Sequence, residues 1–112
     1  MDVYAPINAL IRPGATVTIP LGFGLELPDG FAGFIFTRSS FARKGLACEL
    51  PPIDSGYKGQ IHAIITNHSV DNYQIKKGDR IGQLIVMPIL LPELVEEFGA
   101  ERGTGAFGST GA

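Results

Sequence analysis

The chain ends in Arg102-Gly103-Thr104-Gly105-Ala106-Phe107-Gly108-Ser109-Thr110-Gly111-Ala112, residue types that suit an arm for gripping phosphate. Glycines at 103, 105, 108 and 111 let backbone N–H groups turn toward an anion with no Cβ in the way. Arg102 offers a planar fork to phosphate oxygens, Ser109 and Thr110 add hydroxyl donors, and Phe107 can stack on a flat ring. The same composition describes a flexible Gly/Ser tail, although flexibility alone needs neither Arg102 nor Phe107. A second stretch, Pro51-Pro52-Ile53-Asp54-Ser55-Gly56-Tyr57-Lys58-Gly59-Gln60, holds a carboxylate at the lip of a Ser-Gly turn. Asp54 is placed there to take a proton from water, with the Tyr57 ring beside the same pocket. An ordinary hairpin turn with an Asx hydrogen bond is the other reading of that segment. In Thr37-Arg38-Ser39-Ser40, an Arg stands beside two hydroxyls at the start of a short helix. This is either an anion site or a capped helix with a surface Arg. Gln83, in Gly78-Asp79-Arg80-Ile81-Gly82-Gln83, can donate to a phosphate, while an Asp79–Arg80 pair is the commoner structural reading of that turn. Asp2 is informative only in combination with the others.

These groups must be held by a mostly β scaffold. Prolines at 6, 13, 20, 28, 51, 52, 88 and 92, with glycines between them, leave no room for a long helix. The runs between read as strands over Thr16–Ile19, Phe23–Leu27, Phe31–Thr37, Gln60–Asn67 and Ile81–Pro88, rich in β-branched and aromatic residues. Turns are expected at Leu27-Pro28-Asp29-Gly30-Phe31 and Lys76-Lys77-Gly78-Asp79. One short helix is expected near Ser39–Lys44, with Ser39 or Ser40 as its N-cap. The fold class is all-β, a single jelly-roll-like barrel or sandwich with one short helix and a mobile C-terminal arm. A β domain over 1–101 is followed by the arm over 102–112. Ile81–Pro88 is apolar at nearly every position, which predicts cover on both faces. With the exit through Pro88 and Pro92, this suggests a subunit completed by its neighbours.

Composition narrows the function classes. An apolar fraction of 45% with 18% charged residues describes a soluble globular chain of 112 residues with one core. No apolar run approaches a membrane span, and Met1-Asp2 opens no signal peptide. A net charge of -2 leaves no basic stripe for nucleic acid. A polyphosphate must therefore be met by local cations, among Arg38, Arg43, Lys44, Arg80 and Arg102. Cys48, the single cysteine, fits a reducing cytoplasm and reads as a small buried residue. His62 and His68 have no Cys or paired His to make a metal site, and Met87 reads as core.

Taken in order, Asp2-Val3-Tyr4-Ala5, Arg38-Ser39-Ser40, Ile53 to Gly59, Gly78 to Gln83 and Arg102 to Gly111 form a series. It resembles the five motifs of the trimeric deoxyuridine triphosphatases (dUTPases), over essentially the whole chain. Each motif is weak alone, but five in register are specific. The resemblance implies a cytoplasmic hydrolase that converts dUTP to dUMP and pyrophosphate, keeps uracil out of DNA and supplies the dTMP precursor. It implies homotrimers whose sites combine motifs from different chains, with no nucleic-acid or membrane partner. By the same resemblance Asp54 is the general base for water attack on the α-phosphorus, and Tyr57 packs on the deoxyribose and excludes a 2′-hydroxyl. Arg38, Ser39, Ser40 and Gln83 lie at the substrate, the first two and Gln83 holding the phosphate chain. Asp2 orients a water of the Mg²⁺ that the triphosphate chelates. Arg102, Phe107, Gly108, Ser109 and Thr110 close over the nucleotide, with Phe107 above the uracil and the hydroxyls on the γ-phosphate.

Three departures from the family pattern stand out. Asp2 directly follows Met1, where members usually have a small residue, a Gly and an aromatic, so an N-terminal strand that members carry is expected to be missing. Pro51 replaces a usual Gly and brings no N–H, which exposes base selectivity. Ala106 replaces the second Gly of a usual pair. The related dCTP deaminases share a segment like Arg38 to Leu46, but rely on a Glu where this chain has Ile64. A dUTPase-like binding protein without turnover is the alternative from another class, against which the retained Asp54 and complete arm speak.

Overall fold

A computed structural model describes residues 1–97; the arm over 102–112, and with it Arg102, Phe107, Gly108, Ser109 and Thr110, lies outside the described residues. In chain order the elements are β1 (Asp2–Tyr4), β2 (Ala9–Ile11), β3 (Thr16–Pro20), β4 (Phe31–Thr37), α1 (Ser39–Arg43), β5 (Leu46–Cys48), β6 (His62–Asn67), β7 (Tyr73–Ile75) and β8 (Arg80–Pro88). They pair antiparallel in three sheets, ordered β1-β8-β4, β2-β7 and β3-β6-β5. The fold is the all-β, jelly-roll-like arrangement with one short helix that the sequence predicts.

Alternation along the strands builds the interior. On β6, Ala63, Ile65 and Asn67 point inward while His62, Ile64 and Thr66 take the other face, as the two-residue period of a strand requires. Ile11, Ile19, Ile65, Ile75 and Ile81, one each from β2, β3, β6, β7 and β8, are at most 1% exposed, so all three sheets share one core. Asn67 is the buried polar residue among the described residues, and its amide is fully used. It donates to Ile11 O and Asp71 O, both at 2.8 Å, and accepts from Ser69 N and Oγ at 2.9 and 2.7 Å. One side chain thus ties β2 to the turn after β6.

Several expectations are corrected. Phe23–Leu27 is not a strand: Gly22 takes φ +86°, and only Leu21 and Phe23 bond to Ile61 before the chain turns at Pro28. Phe23 and Leu25 still pack against the core. β6 begins at His62 rather than Gln60, because the Ile61 N–H is committed to Phe23 O. Neither Ser39 nor Ser40 caps the helix; Arg38 is the N-cap, and no side chain bonds back to the first turn. β1, β2, β5 and β7 are three residues each, too short for a periodic signal. β8 is not covered on both faces within one subunit, since Ile85 and Val86 are 37% and 42% exposed. Met87, expected in the core, is half-buried opposite Ala32 and outside the core cluster. Both predicted turns are present, with Gly30 and Gly78 at φ +87° and +93°. Cys48 is buried as expected; burial raises its thiol pKa, with the charge of Glu49 adding and the Thr37 hydroxyl opposing.

Candidate active site

β4 carries the site. At its end, Thr37 and the extended Arg38 lead into α1, beside the first residues of β8 and β1. Asp2, Thr37, Arg38, Ser39, Arg80, Gly82 and Gln83 line one open cavity of about 430 Å³ there. Asp2 lies directly opposite Gln83 across the β1–β8 ladder, so the two side chains share a face. Arg80 and Gln83, three apart on a regular strand, would face opposite sides. An irregularity at Val3/Tyr4 pairs Tyr4 with Arg80 while Val3 pairs with Gly82, and this extra residue re-aims Arg80 toward the same cavity. Arg80 Nη1 lies 3.2 Å from Asp2 Oδ2, and Arg38 Nη1 donates to Arg80 O at 3.4 Å. The expected Asp79–Arg80 pair is not made: Asp79 Oδ2 accepts from Lys76 N at 2.8 Å and closes its own turn. Two guanidinium groups, two hydroxyls and an amide against one carboxylate make a cationic, donor-rich hollow.

The second group hangs on the middle of the same strand. Gly33 and Ile53 exchange both backbone hydrogen bonds, at 3.0 and 2.8 Å, which clamps the segment carrying Asp54 onto β4. Beyond the clamp, Tyr57 N donates to Asp54 O at 3.0 Å and closes the turn. The Asx bond that the sequence left open is absent: among the described residues the Asp54 carboxylate takes no hydrogen bond, and it stands exposed. Tyr57 folds back so that its hydroxyl donates to Gln60 O at 2.7 Å, with the ring over Gly59. A Cβ on Gly59 would come within 2.5 Å of the phenol oxygen, so the absence of a side chain sets the ring position. Asp54 and Tyr57, with Glu49, Pro51, Pro52, Gln60, His62 and Ile64, line a largely apolar cavity of about 180 Å³ floored by Ile35, Ile53 and Ile61.

Asp2, Arg38, Ser39 and Gln83 are therefore brought together, and Asp54 and Tyr57 are brought together separately. Ser40 does not line the first cavity. Sequence reasoning missed two participants, Glu49 and His62. Arg80 stood among the candidate phosphate cations, but its turn read more readily as a structural pair, because a one-residue slip in the ladder cannot be seen in composition. Glu49 and His62 reach the second cavity from β5's end and β6, from positions whose only signal is an outward-facing place on alternating strands. Among the described residues no helix is long and apolar enough to cross a membrane.

The family model for dUTPase matches residues 1–111. A deoxyuridine 5′-triphosphate nucleotidohydrolase of Sinorhizobium medicae is 38% identical over 121 residues, covering 99% of this chain and 76% of the relative. The Wolbachia pipientis protein of the same name is 39% identical, covering 99% and 79%. Among solved structures, a Staphylococcus bacteriophage 80alpha dUTPase with dUpNHpp superposes with a TM-score of 0.79 at 29% identity, covering 99% of this chain and 85% of that one. The dUTPase of phage phi11 of S. aureus, solved for its structural Mg(II) ion, has a TM-score of 0.77 at 26% identity, covering 88% and 84%. With a family model spanning nearly every residue and relatives above one-third identity, this chain belongs to the dUTPase family.

Proposed function

We propose that this chain hydrolyses dUTP to dUMP and pyrophosphate, at sites shared between copies of a homotrimer. The observation that carries this reading is the division of the site into two cavities with complementary chemistry. One subunit holds a cationic hollow for a polyphosphate and, apart from it, an apolar slot with a free carboxylate at its mouth. Neither alone suffices for hydrolysis. Juxtaposed across an interface, they hold the triphosphate, the pyrimidine and a base for water. The uncovered apolar side chains Ile85, Val86, Leu90, Leu91, Leu94 and Val95 support such an interface, since monomers seldom expose so much apolar surface together.

In this reading Arg38, Ser39 and Gln83 bind phosphate oxygens, and Ser40 supports that turn from the adjoining helical position. Asp54 accepts the proton of a water that attacks the α-phosphorus in line with the departing pyrophosphate. Positioning and charge neutralisation do most of the work in such a displacement. Tyr57, fixed over Gly59, lies against the deoxyribose where a 2′-hydroxyl would need room. Arg102, Phe107, Gly108, Ser109 and Thr110 cover the nucleotide and exclude bulk water. Mg²⁺ suits this donor set: Asp2 is a single carboxylate facing a phosphate hollow, and Mg²⁺ commonly takes one or two carboxylates, with waters and phosphate oxygens completing its shell. When bound it neutralises charge building on the leaving phosphates. A cytoplasmic location suits the nucleotide substrate and the single reduced cysteine.

The test is pyrophosphate release from dUTP with Mg²⁺. The wild-type chain is expected to turn over, and Asp54→Asn to bind nucleotide while losing about two to four orders of magnitude in kcat. A wild type that binds dUTP without releasing pyrophosphate would make this a binding module, and equal activity in Asp54→Asn would remove that residue from its role.

A further inference from the structure

The wall of the apolar slot has an unusual balance of donors and acceptors. Pro51 and Pro52 have no N–H, and the Ile53 N–H is committed to Gly33 O at 2.8 Å. The Glu49 N–H is committed to Ile64 O at 2.7 Å, and the Tyr57 hydroxyl to Gln60 O. This stretch therefore has few free backbone donors to offer the slot. Glu49 also lines this wall.

The Glu49 carboxylate is held in place. Thr66 Oγ1 donates to Glu49 Oε2 at 2.8 Å, and Thr16 Oγ1 lies 2.8 Å from Thr66 Oγ1. The Thr66 proton is used on the carboxylate, so Thr16 must be the donor to Thr66. The result is a hydroxyl relay across β3, β6 and the end of β5, in which Thr16 opposes Thr66 on adjacent strands. Glu49 itself stands opposite Ile64, through the bond from its own N–H. An exposed Glu on a strand end ordinarily samples many rotamers; here Thr66 holds one carboxylate oxygen, and among the described residues the other takes no hydrogen bond.

We propose that Glu49 is a specificity-determining residue of the slot, accepting a hydrogen bond from the donor edge of the pyrimidine. This rests on the reading of the slot as the base site. A carboxylate offers acceptors only. It suits the ring N–H of uracil but repels the carbonyls flanking it, whereas the exocyclic amine of cytosine presents two donors. Glu49 thus narrows the difference between uracil and cytosine, and Thr66 is a positioning residue that acts through it. A neutral amide at the same place would serve both the N–H and a carbonyl of uracil, and would widen the difference.

The experiment measures binding of dUMP and dCMP to the full chain by calorimetry, with Glu49→Gln, Glu49→Leu and Thr66→Val beside the wild type, and circular dichroism to establish folding. Glu49→Gln is expected to raise the dUMP-to-dCMP affinity ratio about five- to tenfold. Glu49→Leu should weaken both ligands, and Thr66→Val should give a smaller change than Glu49→Leu in the same direction. Ratios and affinities within twofold of wild type in folded Glu49→Gln and Glu49→Leu would overturn the assignment. Because the readout is monophosphate binding, loss of the hydrolysis reading is separately visible: a chain that binds dUMP but releases no pyrophosphate from dUTP fails only the latter. A wild type that binds neither monophosphate overturns the Glu49 assignment, whatever its hydrolytic activity.

Discussion

Gly59→Ala separates the geometry of Tyr57 from the stability of the fold. The added Cβ would lie 2.5 Å from the Tyr57 hydroxyl and 2.7 Å from Cζ. Ordinary contact begins near 3.4 Å, so the phenol must retreat by about 0.9 Å and give up its bond to Gln60 O. The atom that gives way is the far end of a side chain 42% exposed, not backbone. The loss is one exposed hydrogen bond, worth about 1 kcal/mol or less in stability. The functional cost is larger, because a misplacement near 1 Å in a positioned site costs about a hundredfold in rate. We expect kcat/KM for dUTP to fall by about ten- to a hundredfold, and the preference for dUTP over UTP to narrow. Urea unfolding and paired kinetics with the two nucleotides measure both. Kinetics and sugar preference within twofold of wild type would refute the argument that Gly59 sets the ring against the sugar.

Asn67→Ala removes the side-chain donor to Ile11 O, takes one of two donors from Asp71 O, which keeps Ser69 Oγ at 3.0 Å, and frees Ser69 from the amide, all around a fully buried position. A loss of about 3 kcal/mol or more in unfolding free energy is expected by urea titration, and a loss under about 1 kcal/mol would contradict it. Arg80→Met removes the cation beside Asp2 in an exposed pair, so stability should change by less than about 1 kcal/mol. KM for Mg·dUTP should rise by about tenfold, with Arg80→Lys intermediate, and an unchanged KM would exclude Arg80 from the phosphate hollow.

The long strands were legible because their pattern is strong. Phe31–Thr37 is a seven-residue run, apolar up to its last residue, that follows the Pro28–Gly30 turn, and β8 is a nine-residue run. Three-residue strands such as Leu46–Cys48 leave no period to read; they exist because a neighbour supplies their hydrogen bonds. Phe23–Leu27 has a strand's composition but no partner ladder, since Gly22 turns the chain out. In the site, the resemblance carried by five motifs in order grouped Asp2, Arg38, Ser39 and Gln83, and the structure brings these four into one hollow. Arg80 stood among the candidate cations, but its place beside Asp2, like that of Glu49, needed three-dimensional facts: an irregular register beside Val3/Tyr4 and a hydroxyl relay from Thr16 through Thr66. Neither leaves a trace in local sequence.

On the proposed reading, the phosphate hollow and the Asp54 slot act together only when they come from different copies of the chain. Arg38→Ala and Asp54→Asn chains, each nearly inactive alone, can be unfolded together in equal amounts, refolded and assayed for pyrophosphate release from Mg·dUTP. Random assembly leaves roughly a quarter of sites with an intact Asp54 facing an intact Arg38 from another chain, so activity near that fraction of wild type is expected. If both residues serve the same site from one chain, no mixed assembly holds an intact pair, and activity stays at the level of the single variants. Absence of recovery in assemblies shown to contain both chains would contradict the shared site.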